Sequence, residues 1–278
     1  MKNTLLKWKS NDGLEIFGQQ WTSDDIPAKG VICLVHGFGE HSSRYDHVAK
    51  FFTDNKYAVI AYDHRGHGRS QGKKGHFPNY EEFMNDVDNL LKQADKQFPG
   101  LPKILYAHSM GGNVVANFAI HRKPAVVGVI LSSPFFRPAF NPPALKIAVG
   151  KLMRNWIPSF SLPSGIDATG ISRDKEVVAK YQKDPMVFDL ISSKMGIELI
   201  EYGQAAIDHA DQLTLPTLLF HGTEDKLTSF DASKEFMKKA GKNVQFIEYK
   251  GLYHECHNEP EKQEVLQNAL NWCNNLIT

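Results

Sequence analysis

The sequence predicts an α/β fold in which helices flank a mostly parallel central sheet and a helical insertion interrupts the chain. Two observations support this prediction. Short apolar runs of strand length alternate with longer segments of helical periodicity in both halves of the sequence. The alternation is lost between residues 134 and 185, where seven of the chain's 14 prolines fall. A length of 278 residues suits one α/β domain that carries an inserted piece.

The predicted strands of the first half are runs that are apolar at consecutive positions, as expected for strands buried on both faces. They cover residues 31–35, 57–62, 104–106 and 126–131, and two further strands are predicted at 217–220 and 244–249. Helical patterns occupy residues 80–97, 113–121, 229–239 and 260–276. This alternation favours a parallel sheet, because each helix returns the chain to the edge at which the next strand begins.

The insertion is predicted to be a helical cap of residues 135–205, with residues 1–134 and 206–278 forming the core domain. One helix of the cap has an apolar stripe and a basic side. The stripe consists of Leu145, Ala148, Val149, Leu152, Met153 and Trp156, and the basic residues are Lys146, Lys151 and Arg154. Two interpretations fit equally: a helix packed over the core domain, or a face that makes transient contact with a lipid or membrane surface beside an acyl pocket.

Charge and targeting signals predict a cytoplasmic protein that does not bind nucleic acid. The 32 basic and 31 acidic residues leave a formal net charge of +1, which gives no general attraction to phosphate backbones. Lys7 and Lys9 interrupt the stretch in which a signal peptide would need a continuous apolar core. No later run approaches the length of apolar sequence that a membrane span requires.

The cysteines and histidines do not indicate redox chemistry or a metal site. Three cysteines are an odd number, which suits reduced thiols better than a disulfide framework. The twelve histidines show no His-Glu-x-x-His spacing, and no Cys-x-x-Cys pair accompanies them. We therefore expect neither a metal nor a cofactor. The sequence makes no prediction of the oligomeric state.

The strongest chemical signal is Ser109, which lies between the predicted strand at residues 104–106 and the helical pattern at 113–121. A serine at a sharp strand-to-helix turn is the nucleophile elbow of many hydrolases. The turn needs small residues two places before and two places after the serine, and Ala107 and Gly111 occupy these positions. Glycine is more frequent at the first of them. Ser109 is therefore the predicted nucleophile of a serine hydrolase.

Two main-chain N–H groups are candidates for an oxyanion hole, which stabilises the negative charge that develops when the serine attacks. The N–H of Met110 lies at the start of the helix that follows the nucleophile. In α/β folds that carry such a nucleophile elbow, the second donor comes from the loop after an earlier strand. Residues 36–39 follow the apolar run at 31–35, and we assign this donor to the Phe38 backbone.

The serine needs a base, and the base needs an acid to orient it; in this fold they follow the nucleophile in the order acid, then histidine. Asp225 follows the predicted strand at 217–220, and His254 follows the strand at 244–249. Loops at the carboxyl ends of parallel strands meet at one edge of the sheet. Asp225 and His254 are therefore the predicted acid and base, with Glu224 as the local rival for the acid.

With these residues identified, the chain resembles the monoacylglycerol lipase and lysophospholipase group of α/β-hydrolases, which are serine aminopeptidase-like hydrolases. The resemblance extends over nearly the whole chain and implies the α/β-hydrolase fold with an inserted cap. The matching stretches are residues 36–45 (HGFGEHSSRY), 63–70 (DHRGHGRS), 108–112 (HSMGG), 131–134 (LSSP), 172–185 (SRDKEVVAKYQKDP), 221–225 (HGTED) and 251–255 (GLYHE).

The resemblance implies hydrolysis, without a cofactor, of an ester between one fatty acyl chain and glycerol, through an acyl-enzyme. It places the family's catalytic triad on the serine, aspartate and histidine already singled out, and its oxyanion donors on the two main-chain N–H groups. His108, Arg44 and Tyr181 match positions at the polar end of the substrate pocket; for Arg44 a surface ion pair is an equal alternative. An acidic residue that some members carry four places before this tyrosine is Val177 here.

Other functions on the same fold stay open at this point. A lysophospholipase or a short-to-medium-chain carboxylesterase would use the same serine, acid and base. A binding module that had lost turnover is disfavoured, because the nucleophile, acid, base and oxyanion donors are all retained. The 63–70 segment is expected to have a structural role, with Asp63 and Ser70 fixing a loop beneath the site.

Overall fold

A computed structural model describes residues 1–24, 27–140 and 142–277, and its main sheet has eight strands. The strands are β1 Lys2–Lys9, β2 Glu15–Thr22, β3 Gly30–Val35, β4 Tyr57–Tyr62, β5 Lys103–His108, β6 Gly128–Ser132, β7 Ser161–Pro163, β8 Leu190–Ser192, β9 Thr217–Gly222 and β10 Val244–Tyr249. The main sheet has the order β1-β2-β4-β3-β5-β6-β9-β10, and β7 pairs with β8 separately. All neighbours from β4 to β10 in that order are parallel, which confirms the predicted fold class.

Helices cover both faces of the main sheet. They are α1 Asp46–Asp54, α2 Tyr80–Gln97, α3 Met110–Arg122, α4 Ala144–Trp156, α5 Lys175–Lys183, α6 Ser193–Asp208, α7 Phe230–Ala240 and α8 Lys262–Leu276. Buried side chains of α1 and α8 pack on one face, and those of α2, α3, α6 and α7 pack on the other. The four helical patterns expected in the core domain correspond to α2, α3, α7 and α8.

Strand β3 shows why the strand sequences are apolar at consecutive positions. Its side chains point alternately to the two faces, so Val31 and Val35 join one hydrophobic cluster while Ile32 and Leu34 join the other. Every residue of β3 to β6 except Lys103 is buried. The carboxyl ends of β3, β5, β9 and β10 consequently lie at one edge of the sheet, and the loops that follow them share a neighbourhood.

The first two strands have no equivalent among the predicted ones. In β1 exposed and partly buried residues alternate, because the strand lies at the edge of the sheet and pairs only with β2. Its sequence is therefore polar at many positions and lacks the continuous apolar run of a central strand. The turn between β1 and β2 places Gly13 at a φ of +87°, a conformation that favours glycine.

The 63–70 segment has the structural role predicted for it. The Asp63 carboxylate accepts hydrogen bonds from the main-chain N–H groups of Ser42 and Arg69, at 2.8 and 2.9 Å. The Ser70 hydroxyl donates to the Asp63 carbonyl and accepts from the N–H of Phe17. These bonds join the loop after β4 to strand β2 and to the turn before α1.

Between β6 and β9 the chain forms a layer over the carboxyl edge of the sheet. Helix α6 buries six residues and joins the main hydrophobic core, whereas α4 packs on α6 and has no buried residue. The predicted domain boundary at residue 205 falls within α6, and the division into core and cap stays a prediction. None of the helices in the described ranges is long and apolar enough to cross a membrane.

Candidate active site

Ser109 occupies a strained turn between β5 and α3. Its φ of +53° and ψ of −116° lie outside the backbone conformations that residues other than glycine normally adopt. The turn brings α3 against the end of β3: a Cβ on Gly111 would lie 2.4 Å from the carbonyl oxygen of Val35. Ala107, in contrast, lies in β5 itself, where its methyl group is buried without disrupting the pairing with Val35 and Leu131. The elbow therefore needs glycine at 111 and accepts alanine at 107.

The three residues predicted to act together lie in one hydrogen-bonded row. His254 Nδ1 is 2.7 Å from Asp225 Oδ2, and His254 Nε2 is 2.9 Å from Ser109 Oγ. With the proton on Nδ1 donated to the carboxylate, Nε2 accepts the hydroxyl proton of the serine. The three side chains come from the loops after β5, β9 and β10, which meet at the carboxyl edge of the sheet.

The Asp225 carboxylate is held by main-chain and side-chain donors. Its Oδ1 accepts from the N–H groups of Leu227 and Thr228, at 2.8 and 3.0 Å. Burial alone would raise the pKa of Asp225, but the charge of His254 and the hydrogen bonds from His221 and His254 outweigh it and hold the pKa far below its usual range. The Asp225 carboxylate therefore stays ionised although it is buried.

The same pairing shifts the pKa of His254 in the opposite direction. Burial would lower its pKa, yet the carboxylate of Asp225 raises the pKa above the ordinary histidine value. Glu224, the rival acid, has its side chain exposed to solvent, while its N–H donates to the carbonyl of Leu252. The geometry thus brings His254 to Asp225 rather than to its neighbour.

The loop after β3 lies directly against the serine. A Cβ on Gly37 would lie 3.2 Å from the Cβ of Ser109, so residues 36–39 approach the nucleophile closely. The Gly37 N–H donates to Glu40 Oε1 at 2.7 Å. Within the described ranges, the N–H groups of Phe38 and Met110 donate to no protein acceptor. Both predicted oxyanion donors are therefore free to bind a ligand oxygen.

Two buried histidines hold this loop in place, a role that the sequence alone does not indicate. His36 Nδ1 donates to the Gly37 carbonyl at 2.7 Å, and His36 Nε2 accepts from the N–H of His64 at 2.9 Å. His64 Nε2 donates back to the His36 carbonyl at 3.1 Å. Burial lowers the pKa of His36 to about 4, so the ring is neutral and can donate and accept at once.

Arg44 forms a buried ion-pair network instead of the surface pair considered as an alternative. Its guanidinium donates to both oxygens of Glu255, at 2.8 Å each, and to the carboxylate of Glu40. It also stacks on the ring of Tyr181, 4.7 Å from the ring centre. Glu40, Glu255 and Tyr181 line the cavity beside Ser109, and Arg44 holds them from behind. No local sequence signal links Arg44 to Glu255, 211 positions further along the chain.

His108, the third residue predicted at the polar end, also lines this cavity. Its Nδ1 donates to the carbonyl of Ser132 at 3.1 Å, and its ring lies 4.7 Å from that of His254. Burial lowers its pKa well below the ordinary value. His108 therefore presents a neutral ring next to the base.

A cavity of about 550 Å³ extends from Ser109 beneath the layer between β6 and β9. Apart from the polar end already described, its walls are mainly hydrophobic side chains of the layer between β6 and β9. Examples are Phe135, Leu145, Val149, Met153, Ile197 and Leu199. A volume of this size suits a small organic molecule with a long apolar part.

A serine, histidine and aspartate joined in a row at the carboxyl edge of a mostly parallel sheet define a serine hydrolase of the α/β-hydrolase class. Comparison with known proteins then identifies the family: the family model described as "Serine aminopeptidase, S33" matches residues 26–261, and the chain belongs to this family. The resemblance deduced from the sequence motifs is thereby confirmed.

The relatives include lipases. The chain is 37% identical to a monoacylglycerol lipase of Mycolicibacterium smegmatis over 94% of this chain and 93% of that protein. It is 32% identical to a monoglyceride lipase of Rattus norvegicus, over 96% of this chain and 89% of the relative. The crystal structure of a monoacylglycerol lipase from Paleococcus ferrophilus superposes with a TM-score of 0.83 at 30% identity, covering 100% of this chain and 99% of that one.

Proposed function

We propose that this protein hydrolyses the ester bond of monoacylglycerols through an acyl-enzyme on Ser109. The observation that carries the proposal is the hydrogen-bonded row from Asp225 through His254 to Ser109, at the end of a largely apolar cavity. The lipase relatives support the substrate class. The same geometry supports the roles of nucleophile, base and acid for these three residues.

In the proposed first step, Ser109 Oγ attacks the ester carbonyl carbon while its proton passes to His254 Nε2. The negative charge on the carbonyl oxygen is taken up by the N–H groups of Phe38 and Met110. His254 then returns the proton to the leaving oxygen, and glycerol departs. Water repeats the sequence on the acyl-enzyme: His254 takes its proton, the fatty acid leaves, and Ser109 regains its hydrogen.

The polar end of the cavity favours a neutral headgroup. The carboxylates of Glu40 and Glu255 can accept hydrogen bonds from glycerol hydroxyls, and the hydroxyl of Tyr181 can donate or accept one. The guanidinium of Arg44 is already engaged by both carboxylates and is not offered to a phosphate. A phosphate placed here would face two carboxylates, and such like-charge contacts are strongly unfavourable.

An ester panel tests this proposal. We expect 1-lauroylglycerol to be hydrolysed with a kcat/KM at least about tenfold higher than lauroyl-lysophosphatidylcholine, because of the like-charge contacts. We also expect the kcat/KM for 1-lauroylglycerol to exceed that for 1-butyroylglycerol, since each additional buried methylene contributes up to about 0.8 kcal/mol. Initial rates are measured with each ester below its critical micelle concentration, and the rate with the Ser109→Ala variant is subtracted.

Two outcomes of this panel would contradict the proposal. A preference for the lysophospholipid would identify a lysophospholipase, because the acyl chain is the same in both substrates. Equal or falling rates from butyroyl to lauroyl glycerol would identify a short-chain carboxylesterase, because the apolar wall would then contribute nothing to binding in the transition state.

We also propose that α4 contacts a lipid surface. The helix packs on α6, yet its apolar side chains remain open to solvent, with Leu145 75% and Trp156 80% exposed. Leu145 and Val149 also line the cavity, so the exposed surface leads directly to the acyl site. Lys146 adds positive charge beside it, and Lys151 and Arg154 share a single acidic partner, Glu201, so a net positive charge remains that favours an anionic bilayer.

Vesicle binding tests this contact. We expect the double substitution Leu152→Ser and Trp156→Ser to weaken binding to vesicles containing phosphatidylserine by about tenfold or more, because each side chain contributes roughly 1.5–3 kcal/mol when buried. Binding is measured by co-sedimentation. Neither residue lines the cavity, so hydrolysis of a water-soluble butyrate ester should be unchanged.

The matched control is Leu5→Ser, which removes a residue 63% exposed on β1. It should bind vesicles like the unsubstituted protein. Equal binding by the control and the double variant would show that α4 is only a packed cap helix.

We assign the protein to the cytoplasm. Cys33, Cys256 and Cys273 are all buried free thiols in the structure, an arrangement that suits a reducing compartment.

A further inference from the structure

Asp225 accepts hydrogen bonds from two imidazoles, and only one of them belongs to the mechanism described above. His221 is the next-to-last residue of β9 and is fully buried, four residues before Asp225. Its Nε2 is 3.0 Å from Asp225 Oδ2, the same oxygen that accepts from His254. The sequence alone indicates no role for this residue.

The other side of the His221 ring fixes its tautomer. Nδ1 lies 2.8 Å from the hydroxyl of Ser233, a buried residue of α7. When this hydroxyl donates to Nδ1, the ring proton is on Nε2 and points at the carboxylate. The edge of the ring also contacts Phe230, with ring centres 5.8 Å apart. His221 therefore cannot turn away from Asp225 without losing both hydrogen bonds.

Oδ2 of Asp225 is shared among three donors. Besides the two imidazoles, the Thr228 hydroxyl lies 2.9 Å from it. Each additional donor restrains the carboxylate and draws part of its charge away from the bond to His254. An acid with fewer donors would be less well oriented, and it would attract the proton of His254 more strongly.

We infer that His221 is a positioning residue for the acid: it holds Asp225 in line with His254 and limits how strongly the carboxylate attracts the proton of the base. The inference rests on the proposed function, because it takes Asp225 as the acid of the triad.

Other ionisable groups surround this row and would remain in any variant of His221. Those that act on His254 or Asp225 are Glu40, His108, Glu255 and Cys256, and Arg44 is paired with Glu255 behind them. None of them hydrogen-bonds to His221 in the described part of the chain. Replacing His221 therefore removes one donor from Asp225 and the ring contacts of the Ser233 and Thr228 hydroxyls, while these ionisable groups keep their own partners.

The test compares His221→Leu, which fills the space without a donor, with His221→Gln, which retains one. We expect the leucine variant to lose about tenfold in kcat on a soluble butyrate ester with KM nearly unchanged. We also expect the acid limb of its kcat/KM profile to move to higher pH by about half a unit or more, because His254 becomes more basic. The glutamine variant should retain most of kcat and most of the original position of the acid limb.

Ser233→Ala provides a second, milder variant, which leaves the imidazole in place but frees Nδ1. We expect a smaller shift of the acid limb in the same direction. If the leucine variant does not fold, this variant tests whether His221 positions Asp225. Thermal unfolding is recorded for each protein, so that a loss of folded protein is not mistaken for a loss of rate.

An unmoved acid limb and an unchanged kcat per folded molecule in these variants would overturn the inference and leave His221 a structural residue. Failure of the proposed function would be seen differently, as activity that survives Ser109→Ala.

Discussion

Ser109→Ala is expected to lower ester turnover by at least about a thousandfold and to abolish labelling by a fluorophosphonate probe. Without Oγ no acyl-enzyme can form, whereas the free N–H groups of Phe38 and Met110 still bind a carbonyl oxygen. Substrate binding should therefore persist when turnover is lost. Turnover is measured with 1-lauroylglycerol, and binding by competition with a fluorescent fatty-acid analogue.

Ser43→Ala is a suitable control for this experiment. The Ser43 hydroxyl accepts a hydrogen bond from Gln19 and does not line the cavity beside Ser109. This variant should retain its activity and its labelling. If Ser109→Ala kept more than about one percent of the rate, another residue would have to be the nucleophile. If the unsubstituted protein were not labelled, the chain would be a binding module that does not turn over its ligand.

Asp225→Asn is expected to lower kcat by about 10³–10⁴-fold, and Glu224→Gln by less than about twofold. The main-chain donors at Leu227 and Thr228 will hold the amide oxygen of asparagine where Oδ1 now lies. The amide NH₂ then faces His254 Nδ1, which must become an acceptor. The imidazole proton moves to Nε2, and the ring can no longer take the proton of Ser109.

The comparison is made from kcat at pH values above the acid limb, with thermal unfolding as a check that both variants fold. The isosteric change should preserve the fold, because the five donors to the carboxylate include two main-chain groups that still have an oxygen to bond. Equal losses of kcat in the two variants would show that the assignment of Asp225 as the acid is wrong.

The sequence predicts the fold and the three central residues of the site because both depend on local patterns. Apolar runs and helical periodicity indicate the parallel sheet. A polar residue in the loop that follows a parallel strand then has a known position, the carboxyl edge of the sheet. Ser109, Asp225 and His254 all satisfy this rule, so their meeting is predictable without knowledge of the packing between helices and sheet.

The supporting residues were not predictable in this way. Glu255 meets Arg44 from 211 positions away, and Ser233 meets His221 from a different secondary structure element. Such contacts depend on strand twist and helix packing, which composition and spacing do not encode. His221 had one usable signal, since it also ends a buried strand in the segment that contains Asp225.

The amphipathic pattern of α4 illustrates a different limit. Its apolar spacing fits a packed helix and a lipid-facing helix alike. What distinguishes them is how much of the stripe α6 covers, and that depends on the path of the loops on either side.

The contrast between α4 and α6 bears on how such a protein can change during evolution. Side chains of α6 belong to the main core, so replacing them endangers folding. Helix α4 buries none of its residues, although several line the cavity. Substitutions there alter the wall that contacts the acyl chain while removing little buried area, and surface changes of this kind seldom alter stability by more than about 0.5 kcal/mol. Chain-length preference can therefore diverge between relatives without compensating mutations in the fold.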